Sequence, residues 1–172
     1  RFRKGGAVAS APALQTKDQV SFVVFSGELD KVLAAFILAN GAVAMGDEVS
    51  MFFTFWGLNV LRRPDPVPVE KNLIDRMFGW MMPKGSENLK LSNMNMMGLG
   101  TKMMRQVMKD KNITSLESLI QSARDSGVRM IACQMSMDVM GIHAEELVDG
   151  VKPGGVGAYL GAAEQANVNL FI

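Results

Sequence analysis

Two hydrophobic periods alternate along this chain. Val20-Ser21-Phe22-Val23-Val24-Phe25 is dense in β-branched and aromatic residues and closes at Ser26-Gly27, which predicts a strand. From Asp30 to Met45 the period changes. Val32, Leu33, Phe36, Ile37, Ala39 and Val43 recur at helical spacing, and Gly46-Asp47 supplies the stop. Glu48 to Phe55 is almost wholly apolar after Ser50, as expected of a strand covered on both faces. Trp56 to Arg63 reads as a short helix or turn, halted by Pro64-Asp65-Pro66-Val67-Pro68.

The middle third is less regular. Asn72 to Met82 is helical and apolar, Pro83-Lys84-Gly85-Ser86 breaks it, and Leu91 to Gly100 has no clear period. Gly100 to Lys111 predicts a helix with Met103, Met104, Val107 and Met108 on one side. Thr114-Ser115-Leu116-Glu117 is a helix-start signature, with Thr114 as cap, and that helix runs to Asp125. Val128 to Cys133 is a short buried strand, and Gln134 to Gly141 is a helix directly after it. His143 to Val148 is a short helix, Val151 to Pro153 a weak strand, Val156 to Gln165 a helix, and Asn167 to Ile172 a last strand. Strands therefore alternate with helices. The pattern predicts an α/β fold: a three-layer sandwich with a mainly parallel sheet of about five strands and helices on both faces.

Composition narrows the function. The chain has 172 residues, 48% apolar and 20% charged, a length and balance that suit one globular domain over residues 18–172. Arg1 to Lys17 has no apolar run and reads as a flexible tail or linker. Net charge is +1, which gives no strong attraction to nucleic acid or to an anionic membrane. Val32 to Gly46, the longest apolar stretch, falls short of the roughly 20 residues a membrane span needs and contains Asn40. One cysteine allows no internal disulfide, so the cytoplasm is the expected location. One cysteine and one histidine do not make a conventional zinc site, and no metal is expected. Ser26-Gly27-Glu28-Leu29-Asp30 lacks the multi-glycine turn of a dinucleotide site, and no cofactor is expected.

The candidate chemistry centres on Cys133. A strand that ends in a thiol and turns into a helix sets sulfur beside unpaired peptide N–H groups, which favour a thiolate. The alternative is a buried cysteine acting as a small apolar residue. Parallel strands end at one rim, where Ser26-Gly27-Glu28, Phe55-Trp56-Gly57 and Cys133-Gln134-Met135 should meet. Cys133 is the expected reactive atom, with Gly27, Trp56, Gly57, Gln134, Met135 and Ser136 as the surrounding substrate-binding residues. Trp56 can wall a pocket or simply pack in the core. With no second thiol, a dithiol redox cycle is unavailable, and carriage of a single sulfur fits better. His143, ten residues on, is not placed to activate the sulfur. No Thr/Ser and Arg set suited to a peroxidase surrounds Cys133 in the sequence. Fifteen methionines, nine of them crowded between Met77 and Met108, admit a soft copper(I) site, but adaptable packing or a subunit interface accounts for them better.

The pieces Phe25-Ser26-Gly27 with Asp30-Lys31, Phe55-Trp56-Gly57-Leu58, Leu91-Ser92-Asn93-Met94-Asn95 with Gly98-Leu99-Gly100, Ala132-Cys133-Gln134-Met135-Ser136 with Met140-Gly141, and the final Leu170-Phe171-Ile172 stand in a specific order. In that order and spacing the chain resembles the DsrE/DsrF/DsrH-like family, in its sulfur-relay branch often labelled peroxiredoxin-like, over Val20 to Ile172. The resemblance implies an α/β sandwich, a homo-oligomer, and a cysteine at Cys133 that carries sulfane sulfur as persulfide or thiosulfonate. It also implies exchange with a TusA-like sulfur carrier or a rhodanese-type donor. The resemblance is compatible with an enzyme, a sulfurtransferase, and equally with a carrier that catalyses nothing. The alternatives are a non-catalytic oligomeric scaffold or a small-molecule-binding module of the same fold.

Overall fold

All five strands of the sheet run parallel, in the order β4-β3-β2-β1-β5. They are β1 (Gln19–Val24), β2 (Glu48–Phe53), β3 (Arg129–Cys133), β4 (Lys152–Gly154) and β5 (Val168–Phe171). The structure is a computed structural model and describes residues 18–172. The reading of residues 1–17 as a tail or linker falls outside the described residues. Among the described residues, six α-helices connect or flank the strands: α1 (Leu29–Met45), α2 (Leu73–Met81), α3 (Leu99–Asp110), α4 (Leu116–Asp125), α5 (Gln134–Met140) and α6 (Val156–Ala163).

Side chains alternate across a strand, so each strand supplies two faces. Phe22, Val24, Met51, Phe53, Met130 and Ala132 share one face and are almost fully buried. Helix α1 packs on it through Val32, Phe36 and Ala39, with Phe36 and Phe53 ring centroids 6.0 Å apart. Helix α4 packs against α1 and adds Leu116, Ile120 and Ala123 to the same core. The opposite face carries Val23, Phe52 and Cys133, with Ser21 and Ser50 side by side across β1 and β2. Helix α6 lies over that face, Tyr159 against Phe52 at a ring separation of 5.3 Å. The result is the three-layer α/β sandwich that the alternating periods predict.

Several boundaries differ from the sequence reading. Strand β2 stops at Phe53 instead of Phe55. The chain then turns through Phe55, whose φ of 46° is left-handed, into a 3-10 turn over Phe55–Leu61. Ser115, not Thr114, caps α4: its hydroxyl accepts a hydrogen bond from the Ser118 N–H at 3.2 Å. Glu117 is then free to pair with Arg105, at 3.2 Å, and does not close a capping box. The methionines also divide. Met82 is buried and Met108 packs on the core, whereas Met77, Met81, Met94, Met96, Met97, Met103 and Met104 are exposed in the single chain.

Candidate functional site

Cys133 is the last residue of β3 and directly precedes α5. The parallel register pairs Ala132 with Phe53, which sets the next residue of each strand, Cys133 and Thr54, side by side at the carboxyl rim. In the first turn of α5, Ser136 is completely buried, and its Oγ lies 2.8 Å from Thr54 Oγ1. The thiol is therefore enclosed by two hydroxyls and by the first peptide N–H groups of α5.

Those groups decide its ionisation. Burial pushes the Cys133 thiol up, because the charged form loses water. The Ser136 hydroxyl and N–H, the Thr54 hydroxyl and the Met135 N–H together outweigh it, and hold the thiol below its ordinary value of 9.0. Helix α5 has only seven residues, so the nearby N–H groups act more than any long helix dipole. Cys133 is 2% exposed and lies on the sheet face of Val23 and Phe52, opposite the main apolar core that takes in its neighbours Ala132 and Met137.

The other predicted residues distribute around this point. Met135 is 52% exposed beside the buried sulfur. Gln134 is exposed, its amide donating to Asp138 at 2.9 Å. Gly27 and Gly57 join the loops after β1 and β2. The Gly57 N–H donates to the Phe25 carbonyl at 2.9 Å. A Cβ on Gly57 would fall inside the contact distance of the Val24 carbonyl, and one on Gly27 would lie 2.5 Å from the Trp56 carbonyl oxygen. Both positions thus need glycine for close backbone approach. Trp56 is 51% exposed. It lines, with Gly27, Ser26, Asn59, Lys31 and Asn95, a cleft of about 440 Å3 at the end of β1. Gly27 and Trp56 share that cleft; Cys133 does not line it, and lies beyond Thr54 on the same rim.

Two features escaped the sequence reading. Thr54 sits 79 positions before Cys133, and only the strand register brings them together. Ser136 was placed near the sulfur, but its pairing with Thr54 was not expected. The hydroxyl pair is assembled from the residue after β2 and the first turn of α5, and no Arg is among the groups that act on the thiol. Among the described residues, no group of three or more His, Cys, Asp or Glu side chains is arranged to hold a metal ion.

A lone thiol at a strand-to-helix turn of a parallel sheet invites comparison with known proteins. Residues 16–171 match the DsrE/DsrF/DrsH-like family. The chain belongs to this family. It is 48% identical over 158 residues to the uncharacterized protein YrkE of Bacillus subtilis (strain 168), covering 92% of this chain and 98% of that one. It is 35% identical over 158 residues to the sulfur carrier protein DsrE2 of Allochromatium vinosum, covering 90% of this chain and 98% of the relative. The crystal structure of the ychN protein from E. coli superimposes with a TM-score of 0.54 at 12% identity, over 90% of this chain and 99% of that one. That last likeness concerns the fold alone. Among the described residues, no helix is long and apolar enough to cross a membrane.

Proposed function

We propose that this DsrE-like protein carries sulfane sulfur on Cys133 and passes it to a partner thiol. The observation that carries the reading is the placement of Cys133 at the β3–α5 turn beside the paired Thr54 and Ser136 hydroxyls and the first N–H groups of α5, which favour the thiolate. Thiolate is the nucleophile in sulfur exchange. The Cys133 thiolate attacks the outer sulfur of a donor persulfide. A new S–S bond forms at Cys133, the donor S–S bond breaks, and the donor leaves as thiolate. In the second step an acceptor thiolate attacks the outer sulfur of the Cys133 persulfide, and Cys133 leaves as thiolate again. No net oxidant is consumed and no resolving cysteine is needed. The same hydroxyls and amides that favour the thiolate favour the persulfide anion.

The similarity to a protein named a sulfur carrier supports this role. A TusA-like carrier or a rhodanese-type protein has the chemistry to donate or accept; the exposed Trp56, Gln134 and Met135 form the surface it meets, with Gly27, Gly57 and Ser136 shaping the rim beneath. The exposed Met77, Met81, Met94 and Met97 suit a homo-oligomer. The reducing cytoplasm suits a thiol relay. The near-complete burial of Cys133 favours a second reading, a packed and unreactive cysteine in an oligomeric scaffold. Mass spectrometry separates the two. Incubation with a persulfide donor, polysulfide or thiosulfate (sulfite leaving from the last) adds one sulfur atom to the wild type and nothing to Cys133→Ser. A wild type that gains nothing from any of these donors supports the scaffold.

A further inference from the structure

Beyond the C-terminal end of α5, three charged side chains are buried together. Arg62 is 1% exposed at its side chain, and Lys71 and Glu146 are each 10% exposed. Glu146 accepts from Arg62 Nη2 at 3.2 Å and pairs with Lys71 Nζ at 2.6 Å. Lys71 also donates to the Gly141 carbonyl at 2.7 Å, and the Glu146 carboxylate accepts the His143 N–H at 3.0 Å. Burial pushes the Glu146 carboxyl up, but the Lys71 bond, the His143 N–H and the Lys71 and Arg62 charges hold it below its ordinary value. One carboxylate thus faces two cations, and the buried group keeps a net positive charge. Burying unbalanced charge is costly unless a counter-ion is near.

These three side chains line a cleft of about 410 Å3 that also takes in Arg63, Arg76 and Lys84 and one further carboxylate, Asp65, so cations outnumber carboxylates on its walls. Among the described residues, neither Arg76 nor Lys84 has a carboxylate partner, whereas Arg63, on the same wall, is paired with Asp149 at 2.7 Å. The α2 wall is opened by Gly79. A Cβ there would stand 3.8 Å from Lys71 Nζ and 3.9 Å from Arg62 Nη2, so a larger side chain would fill the space in front of both heads. Trp80, 87% exposed, lines the same cleft.

We propose that this cleft is an anion site, separate from the thiol, that binds a small, multiply charged oxyanion of the phosphate or sulfur-oxyanion class. Arg76 and Lys84 contact the anion directly, and the buried Arg62–Glu146–Lys71 group supplies the excess positive field behind them. Two cationic heads beside a low-dielectric wall bind such a group by charge-assisted hydrogen bonds. Binding requires no sulfur chemistry at Cys133, so it stands or falls apart from the relay reading.

Isothermal titration calorimetry at low salt tests it, on wild type and on Cys133→Ser, with pyrophosphate and with thiosulfate as probes. Saturable binding of at least one anion to both proteins is expected, weakened by added salt. Arg76→Gln and Lys84→Gln, both at solvent-accessible positions, each weaken it by about 10-fold, as loss of one charge-assisted contact implies. Gly79→Leu, which keeps all the charges and fills the cleft, abolishes it. Tighter thiosulfate assigns the site to sulfur oxyanions, and tighter pyrophosphate to phosphates. Absence of saturable binding by both probes overturns the proposal, as does binding that all three substitutions leave unchanged.

Discussion

Thr54 Oγ1 lies 2.8 Å from Ser136 Oγ, and both hydroxyls act on the sulfur of Cys133. The pair links the end of β2 to the first turn of α5. Neither residue is exposed, so the contact is fixed by the sheet register and not by solvent. A thiol set beside two hydroxyls and two peptide N–H groups is stabilised as an anion despite being covered.

Removing either hydroxyl should therefore weaken the anion. The two hydroxyls hold two protons, one donated across their 2.8 Å contact and one to the sulfur, so Thr54→Val and Ser136→Ala each break this pair and weaken a charge-assisted interaction of about 1.5–3 kcal/mol. Sulfur uptake from a persulfide donor near neutral pH slows by roughly 10-fold or more in each variant. Stopped-flow kinetics of the single-turnover transfer checks this. Unchanged rates in both variants would remove the hydroxyls from the account.

Stability should follow the thiol. The folded-state pKa of Cys133 is lowered from 9.0, so the fold favours the thiolate over the unfolded chain. This contribution is fully present above the unfolded value and is lost as pH falls through the folded one. The stability gap between wild type and Cys133→Ser accordingly widens toward wild type as pH rises through that window. Urea unfolding of both proteins across neutral and alkaline pH measures it.

Glu146 neutralises part of a buried cationic pair. Glu146→Gln leaves Arg62 and Lys71 without a counter-charge, and costs about 3–5 kcal/mol of stability. The carboxyl is held below its ordinary value, so its contribution is present above that value and lost as pH falls through the folded one. Chemical denaturation of the variant near neutral pH, and of wild type into the acid range, checks both statements.

Gly57 holds the β1 and β2 loops together. A Cβ there collides with the Val24 carbonyl, backbone that has no flexible end to yield. Gly57→Ala costs at least the 1–3 kcal/mol, roughly, of an overpacked core. Gly41→Ala, in α1 with nothing near its Cβ, is neutral or stabilising. Thermal melts of the two variants give the contrast.

Much of the fold was legible in the chain. The β-branched run at Val20–Val24 and the 3.6-residue period of α1 are local signals, and the structure keeps both. The strand at Lys152–Gly154 was legible only faintly, because three residues with a proline carry little pattern. The site was half legible. Cys133 and Ser136 are neighbours in sequence, and a strand-to-helix turn announces them. Thr54 is invisible to any local reading, since its place beside Cys133 follows from which strands pair and in what register. The cap of α4 was misplaced by one residue for a related reason. Thr114 and Ser115 offer the same hydroxyl chemistry, and only the backbone geometry selects Ser115. The exposed methionines show the opposite limit: their helical spacing fits either adaptable packing or a subunit interface, and in the single chain most of them are exposed.

The ionisation of Cys133 tests the account most directly. Thiolate ultraviolet absorbance, followed against pH on the reduced protein with Cys133→Ser as blank, needs no reagent to reach the covered sulfur. The account predicts a midpoint below the ordinary thiol value of 9.0, rising in Thr54→Val and in Ser136→Ala. A wild-type midpoint at or above that value would show that burial prevails over the hydroxyls and amides, and that Cys133 is a packed core residue instead of a sulfur carrier.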